Sequence, residues 1–221
     1  MSYLYKNSKL RLGLVLWVGI AACQSASTQE QKPQQESSLA ARQVASIQAD
    51  TSLAGVYAAW DGHWKGTFTI YLDPRGQQDG LVQPSITDPT ILDSLPLEVS
   101  GQLAVEQFYD SSDPYYQTVR IIDTYQDGRQ VESQGYNAVR GDSMLCVVNK
   151  PDEQVIHLGR SPRDSVIIWG RKLSNPTKIE YFYEAVKGNT YSILGWGYYG
   201  QDDPNKSPRM WFWAEYEKVD D

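Results

Sequence analysis

Cysteine and histidine are scarce in this chain of 221 residues, with two of each. Cys23 and Cys146 cannot build a disulfide framework. His63 and His157 have no second ligand at metal spacing, because neither His-x-x-x-His nor Cys-x-x-Cys occurs, so no metal site is expected. A lone histidine on a strand reads as a satisfied polar residue. Positive charge is also short: the formal net charge is −7 and no basic block occurs, which excludes binding to a nucleic-acid backbone by charge. There is no Gly-x-Ser-x-Gly elbow, no P-loop and no dinucleotide fingerprint. No cofactor is expected, and no catalytic residue stands out. Phenylalanine is rare, with 4 residues against 15 Tyr and 7 Trp. Aromatics with a polar handle suit surfaces that are part apolar and part wet, and they favour strands.

The longest apolar run, Leu12 to Ala22, is about half of the ~20 residues a membrane span needs. It follows Lys6, Lys9 and Arg11 and ends in Ala21-Ala22, the order of a secretory signal. With Cys23 directly after, Ile20-Ala21-Ala22-Cys23 resembles a bacterial lipobox. The resemblance implies cleavage before Cys23, a diacylglycerol on its thiol and an acylated amine such as a palmitoyl chain gives. Two or more acyl chains anchor a protein stably. An uncleaved anchor helix is the competing reading, against which the short run counts. A secreted protein cut at Ala22 is another, which would leave a free cysteine at its N-terminus. Gln24 after the cysteine resembles the default sorting to the outer membrane in a Gram-negative source. Cleavage would remove three positive charges and leave a net charge of −10. With Cys23 acylated, Cys146 has no partner in the chain, and it reads as a small buried hydrophobe in Met144 to Val148.

The expected domains are a signal over 1–22, a disordered tether over 23–38 with no large apolar residue, and a folded domain over 39–221. Leu53, Val56, Tyr57 and Trp60 share one face at helical spacing, behind a cap at Asp50, Thr51 or Ser52. From Trp64 to Leu72 the period becomes two. Residues 77–94, rich in Pro, Asp and Gly, read as a long loop or a ragged strand pair. Leu97 to Val105 alternate, with a bulge expected at Gly101. Asp127-Gly128 and Lys187-Gly188-Asn189 read as hairpin turns between alternating runs. Nine or ten short strands with no βαβ alternation predict an all-β fold, an antiparallel up-and-down barrel of about 8–10 strands with a short N-terminal helix. A two-sheet sandwich is the alternative. The barrel is favoured because it leaves no open edge on strands this aromatic.

Gly62-His63-Trp64, opening the first strand, is similar to the Gly-x-Trp that begins the barrel of lipocalins and related calycins. The resemblance implies that Trp64 plugs the closed end beneath a basic residue of the last strand, Arg209 or Lys218. Leu103-Ala104-Val105-Glu106-Gln107, followed by Pro114 to Val119, is similar to a stretch in chromophore lyases of phycobiliproteins, which are also calycin-like barrels. Tyr116 and Thr118 stand where arginines are typical of that stretch, so the likeness supports the fold and not a lyase activity.

Glu98 and Glu106 share a strand face but are too far apart to act as a pair. Asp110 to Asp113 and Asp202-Asp203 lack a full Ca²⁺ ligand set, and Arg140-Gly141-Asp142 reads as a turn. The expected function is a lipid-anchored envelope lipoprotein that binds a small apolar or aromatic ligand. The expected lining is Trp64, Tyr181, Tyr183, Trp196, Tyr198, Trp211 and Trp213, from an aromatic set that also holds Phe182, Tyr191 and Tyr199. The alternative is a filled barrel whose outer surface meets an envelope protein. An enzyme is the third reading, to be revived by a buried, strongly shifted acid or histidine in the pocket.

Overall fold

The computed structural model describes residues 49–79, 87–174 and 176–220. Cys23 and the expected signal and tether lie outside them, as do residues 80–86 of the expected 77–94 loop and Asn175. The described chain is a closed antiparallel barrel of ten strands, each paired with its neighbours in sequence, and β1 closes on β10. The strands are β1 (Gly62–Leu72), β2 (Glu98–Asp113), β3 (Tyr116–Thr124), β4 (Gln130–Arg140), β5 (Ser143–Asn149), β6 (Gln154–Arg163), β7 (Val166–Ser174), β8 (Thr177–Lys187), β9 (Thr190–Gly200) and β10 (Met210–Val219).

The turns form where the sequence supplies residues that tolerate positive φ. Gly128 (φ 83°) and Gly188 (φ 61°) close the β3–β4 and β8–β9 hairpins. The bulge lies beside Gly101, where the register against β1 shifts between Ile70 and Tyr71. The expected helix is two 3₁₀ turns, Thr51–Leu53 and Ala58–Trp60, not one α-helix. Gly55 separates them at φ 73°, and its N–H donates to Pro114 O rather than into a helix. Asp50 caps the first turn by accepting from Ser52 N–H.

These two turns close one end of the barrel, the floor. Tyr57 and Trp60 are buried there with Trp64, Val139, Met144, Ile167, Tyr191 and Tyr216. Gly66 lets β10 approach β1 closely, since a Cβ at this position would strike the backbone of Glu215. A second apolar cluster lies outside the barrel. Leu194, Trp196, Tyr198 and Trp211 are buried there, under Ile91, Leu92, Leu95 and Leu97 of the β1–β2 connection. That connection carries a 3₁₀ turn, Pro89–Ser94, and packs over the outer face of β8–β10. No described helix is long and apolar enough to cross a membrane.

Candidate functional site in the barrel interior

Above the floor the barrel encloses a cavity of about 210 Å³ that runs to the β5–β6 turn at the opposite end, the mouth. Its walls come from nine strands, β1 to β9. Side chains alternate along each strand, so β8 sends Glu180, Phe182 and Glu184 inward, β6 sends Val155 and His157, and β7 sends Trp169 and Arg171. Phe68, Phe212 and Phe182 form a tilted ladder across β1, β10 and β8, with centroids 5.7 and 5.5 Å apart. Gly159 makes room for Trp169, whose ring lies where a Cβ would be.

Toward the mouth the polar groups are paired. Glu180 accepts from Tyr199 OH at 2.8 Å and bonds His157 Nε2 at 3.1 Å, and Arg171 lies 3.6 Å away. These side chains are deep: His157 and Glu180 are each 12% exposed and Arg171 is 6% exposed. Arg171 also reaches Glu153 at 3.2 Å, and Lys178 joins the same carboxylate at 3.0 Å. Burial alone would raise the Glu180 carboxyl, but its partners His157, Tyr199 and Arg171 hold it below the ordinary carboxylate value. Hydrogen bonds from Arg171, then Lys178, hold Glu153 at about 2.

Deeper in, the balance reverses. Glu184 accepts a hydrogen bond from Tyr191 OH at 2.9 Å and another from the Trp169 side chain. No Lys, Arg or His among the described residues forms an ion pair with it. Burial pushes its carboxyl up to about 7, against the pull of those two donors. Its remaining accessible surface belongs to the cavity wall. Cys146 lines the same region, and burial raises its thiol far above the ordinary range, which leaves it protonated and unreactive. Asn137 donates to Gln117 Oε1 at 2.8 Å. Gln117 Nε2 in turn donates to Tyr57 O, Asp61 Oδ1 and Ser111 Oγ.

The residues singled out in the sequence fall in three places. Trp64 lies in the floor, fully buried, with its indole N–H donating to Trp60 O and Lys218 Nζ 5.3 Å from its ring centre. Of the two basic residues that the Gly-x-Trp resemblance implied, Lys218 is the one at the tryptophan. Arg209 lies at the mouth end, where its carbonyl accepts from Asp73 N–H. Tyr181, Tyr183, Trp196, Tyr198, Trp211 and Trp213 are all on the outward faces of β8, β9 and β10, and none lines the cavity. Tyr181 and Trp196 stack at 5.2 Å, Tyr183 OH accepts from Arg163, and Tyr198 OH donates to Lys206 O. Cys23 lies outside the described residues.

Of the late strands expected to line a pocket, β8 and β9 do line one, through their opposite faces, and β10 contributes no lining residue. The sequence does not single out Glu180, Glu184, His157 and Arg171 for the site, because charge on a strand ordinarily marks the solvated face. Glu180, Phe182 and Glu184 alternating with Tyr181 and Tyr183 was the available signal, since both faces of β8 are then partly apolar. His63 bonds Glu106 at 2.9 Å and stacks on Phe108, an outer-face arrangement. No group of three or more potential ligands for a metal ion occurs among the described residues.

No family model matches the chain, and no curated protein matches it. Three solved structures are similar in outline, each matching 76% of this chain. Rv2717c from M. tuberculosis has 13% identity and a TM-score of 0.48 over 99% of its length. A redesigned beta barrel has 11% identity and a TM-score of 0.36 over 98% of its length. EF1p2_mFAP2b bound to DFHBI has 12% identity and a TM-score of 0.34 over 99% of its length. The barrel assignment rests on this chain's own strand register, which closes without a gap.

Proposed function

We propose that this chain is a small-molecule-binding barrel of calycin type, held at the membrane of a bacterial envelope through acylated Cys23. In a Gram-negative source that membrane is the outer one. The ligand has a compact apolar or aromatic body and a polar head. The observation that carries the reading is the cavity, in which Phe68, Ile121, Trp169, Phe182 and Ile193 converge on Glu184 and on the Glu180–His157–Arg171 network. Buried ionisable groups carry a desolvation cost, and in a cleft they cluster at functional sites. Apolar walls with a few placed polar groups are the usual make-up of such sites. About 210 Å³ suits a molecule of roughly eight or nine heavy atoms, since an apolar cavity of ~150 Å³ takes benzene.

A filled barrel acting through its outer surface is less well supported. The outer aromatic cluster is covered by the chain's own β1–β2 connection, and the exposed large apolar residues among the described ones are only four, Val99, Ile156, Leu158 and Leu173. Native mass spectrometry of the full chain from its own host tests the ligand. Non-covalent mass that leaves on denaturation supports the reading. A clean protein mass, with no small probe bound in titrations, contradicts it. The acyl groups are covalent and stay through denaturation, so the same spectra report the anchor. Cys23→Ala should remove that mass and release the protein from membranes.

A further inference from the structure

We propose that the ligand is a small organic cation, an amine on an aromatic or apolar body, whose ammonium group pairs with Glu184 at the bottom of the cavity. This deepens the proposed function and rests on it.

Charge is the first ground. Every other carboxylate placed inside the cavity has a cationic or histidine partner from the chain: Glu180 has His157 and Arg171, and Glu153 has Arg171 and Lys178. Glu184 has none among the described residues, only the neutral donors Tyr191 OH and the Trp169 side chain. The groups that face it from the surrounding strands supply no positive charge. They are Tyr109 of β2, Cys146 of β5, Tyr191 of β9 and Tyr216 of β10, each held protonated and neutral by burial. His157, Glu180 and Arg171 lie two layers toward the mouth, beyond Phe182 and Trp169, and are committed to one another, and Lys150 and Glu153 lie at the rim. A carboxylate in this position is completed by a cation that enters through the mouth.

The walls are the second ground. Trp169, Tyr109 and Tyr191 present rings around the Glu184 region, the surfaces on which ammonium groups are held by cation–π attraction. Asn137 on the cavity wall also wants a donor. Its amide orientation is fixed, because Gln117 Nε2 is spent on three acceptors and Gln117 Oε1 must therefore accept from Asn137 Nδ2. Asn137 Oδ1 is left buried with no donor. An anionic or purely acceptor ligand would worsen both deficits.

The test titrates the full chain by calorimetry with three probes of one shape: 2-phenylethylamine, 2-phenylethanol and phenylacetate. The amine should bind at least tenfold more tightly than either of the others. Its affinity should rise about tenfold between pH 6 and pH 8, as Glu184 ionises while the amine stays charged, with a proton released on binding at pH 6. Glu184→Gln, which keeps the side chain's shape, should remove both the preference and the pH dependence while phenylethanol binding persists. Equal or tighter binding of the alcohol or the acid to the wild type would overturn the cation and leave the ligand reading standing. Binding of none of the three would overturn both. An amine preference that survives Glu184→Gln would place the cation elsewhere and overturn the assignment to Glu184.

Discussion

Glu180 and Glu184 occupy successive-but-one inward positions of the same strand, about 13 Å apart along it, and face the same cavity. Their surroundings differ in one respect. Around Glu180 the neighbouring strands contribute His157, Arg171 and Tyr199; around Glu184 they contribute tyrosines, a tryptophan and a cysteine. Both carboxyls are penalised by burial. The first is nevertheless held below the ordinary value and the second is pushed up to about 7. The difference shows that burial does not by itself decide the state of an interior acid: the supply of counter-charge does. The mouth-side network is complete without a ligand, whereas the deeper site is not.

The strongest way to break the contrast is to make Glu180 resemble Glu184. Arg171→Met keeps most of the side chain's volume but leaves Glu180 and Glu153 short of their shared cation. We expect a loss of about 3–5 kcal/mol in urea unfolding at pH 8, with recovery as the pH falls and the carboxyls protonate.

Glu184→Gln should act in the opposite direction. The folded carboxyl titrates at about 7 and its ordinary value is 4.5, so between those limits the folded state binds more protons than the unfolded one. Wild-type stability therefore falls as the pH rises from 4.5 to 7, and the loss is complete above 7. The Gln variant should be more stable than wild type by on the order of 1–3 kcal/mol at pH 8 and no more stable at pH 4.5. Paired thermal or urea melts at the two pH values check this.

Two hydroxyl deletions sharpen the comparison. Tyr191→Phe removes the donor 2.9 Å from Glu184. It should cost about 1–2 kcal/mol at pH 8 and move the Glu184 titration further upward. Tyr199→Phe removes one of three Glu180 partners. Because His157 and Arg171 remain, it should cost no more than about 1 kcal/mol, and Glu180 should stay below its ordinary value. Carboxyl titrations followed by NMR read both shifts.

Much of the architecture could be read from the residues. Trp64 to Leu72 alternates without interruption, and Asp127-Gly128 and Lys187-Gly188-Asn189 permit only tight turns, so strand number and hairpin order followed. Gly62-His63-Trp64 located the floor and narrowed its basic residue to Arg209 or Lys218, of which the structure places Lys218 at the tryptophan. The inward face of the late strands could not be read, for a physical reason. Along β8 and β9 both phases of the alternation carry rings, because one face packs inside the barrel and the other under Ile91, Leu92, Leu95 and Leu97. With apolar residues on both sides, hydrophobicity no longer says which side is in. The cover that buries the outer rings comes from a connection about 100 residues earlier in the chain than the strands it covers, and no local pattern reports it. The helical spacing of Leu53, Val56, Tyr57 and Trp60 gave the short helical prelude but not its type. It describes a buried face correctly, but Gly55 splits the segment into two 3₁₀ turns.

The most direct measurement is a carboxyl titration by NMR of the full chain labelled with ¹³C at its glutamate side chains, run on wild type and on Glu184→Gln. The account predicts one glutamate with a midpoint near 7 in the wild type, absent from the variant, and moved below neutrality when 2-phenylethylamine is added. A wild-type Glu184 that titrates at or below the ordinary value would mean that the chain already supplies its counter-charge, and that no cation is wanted in the cavity.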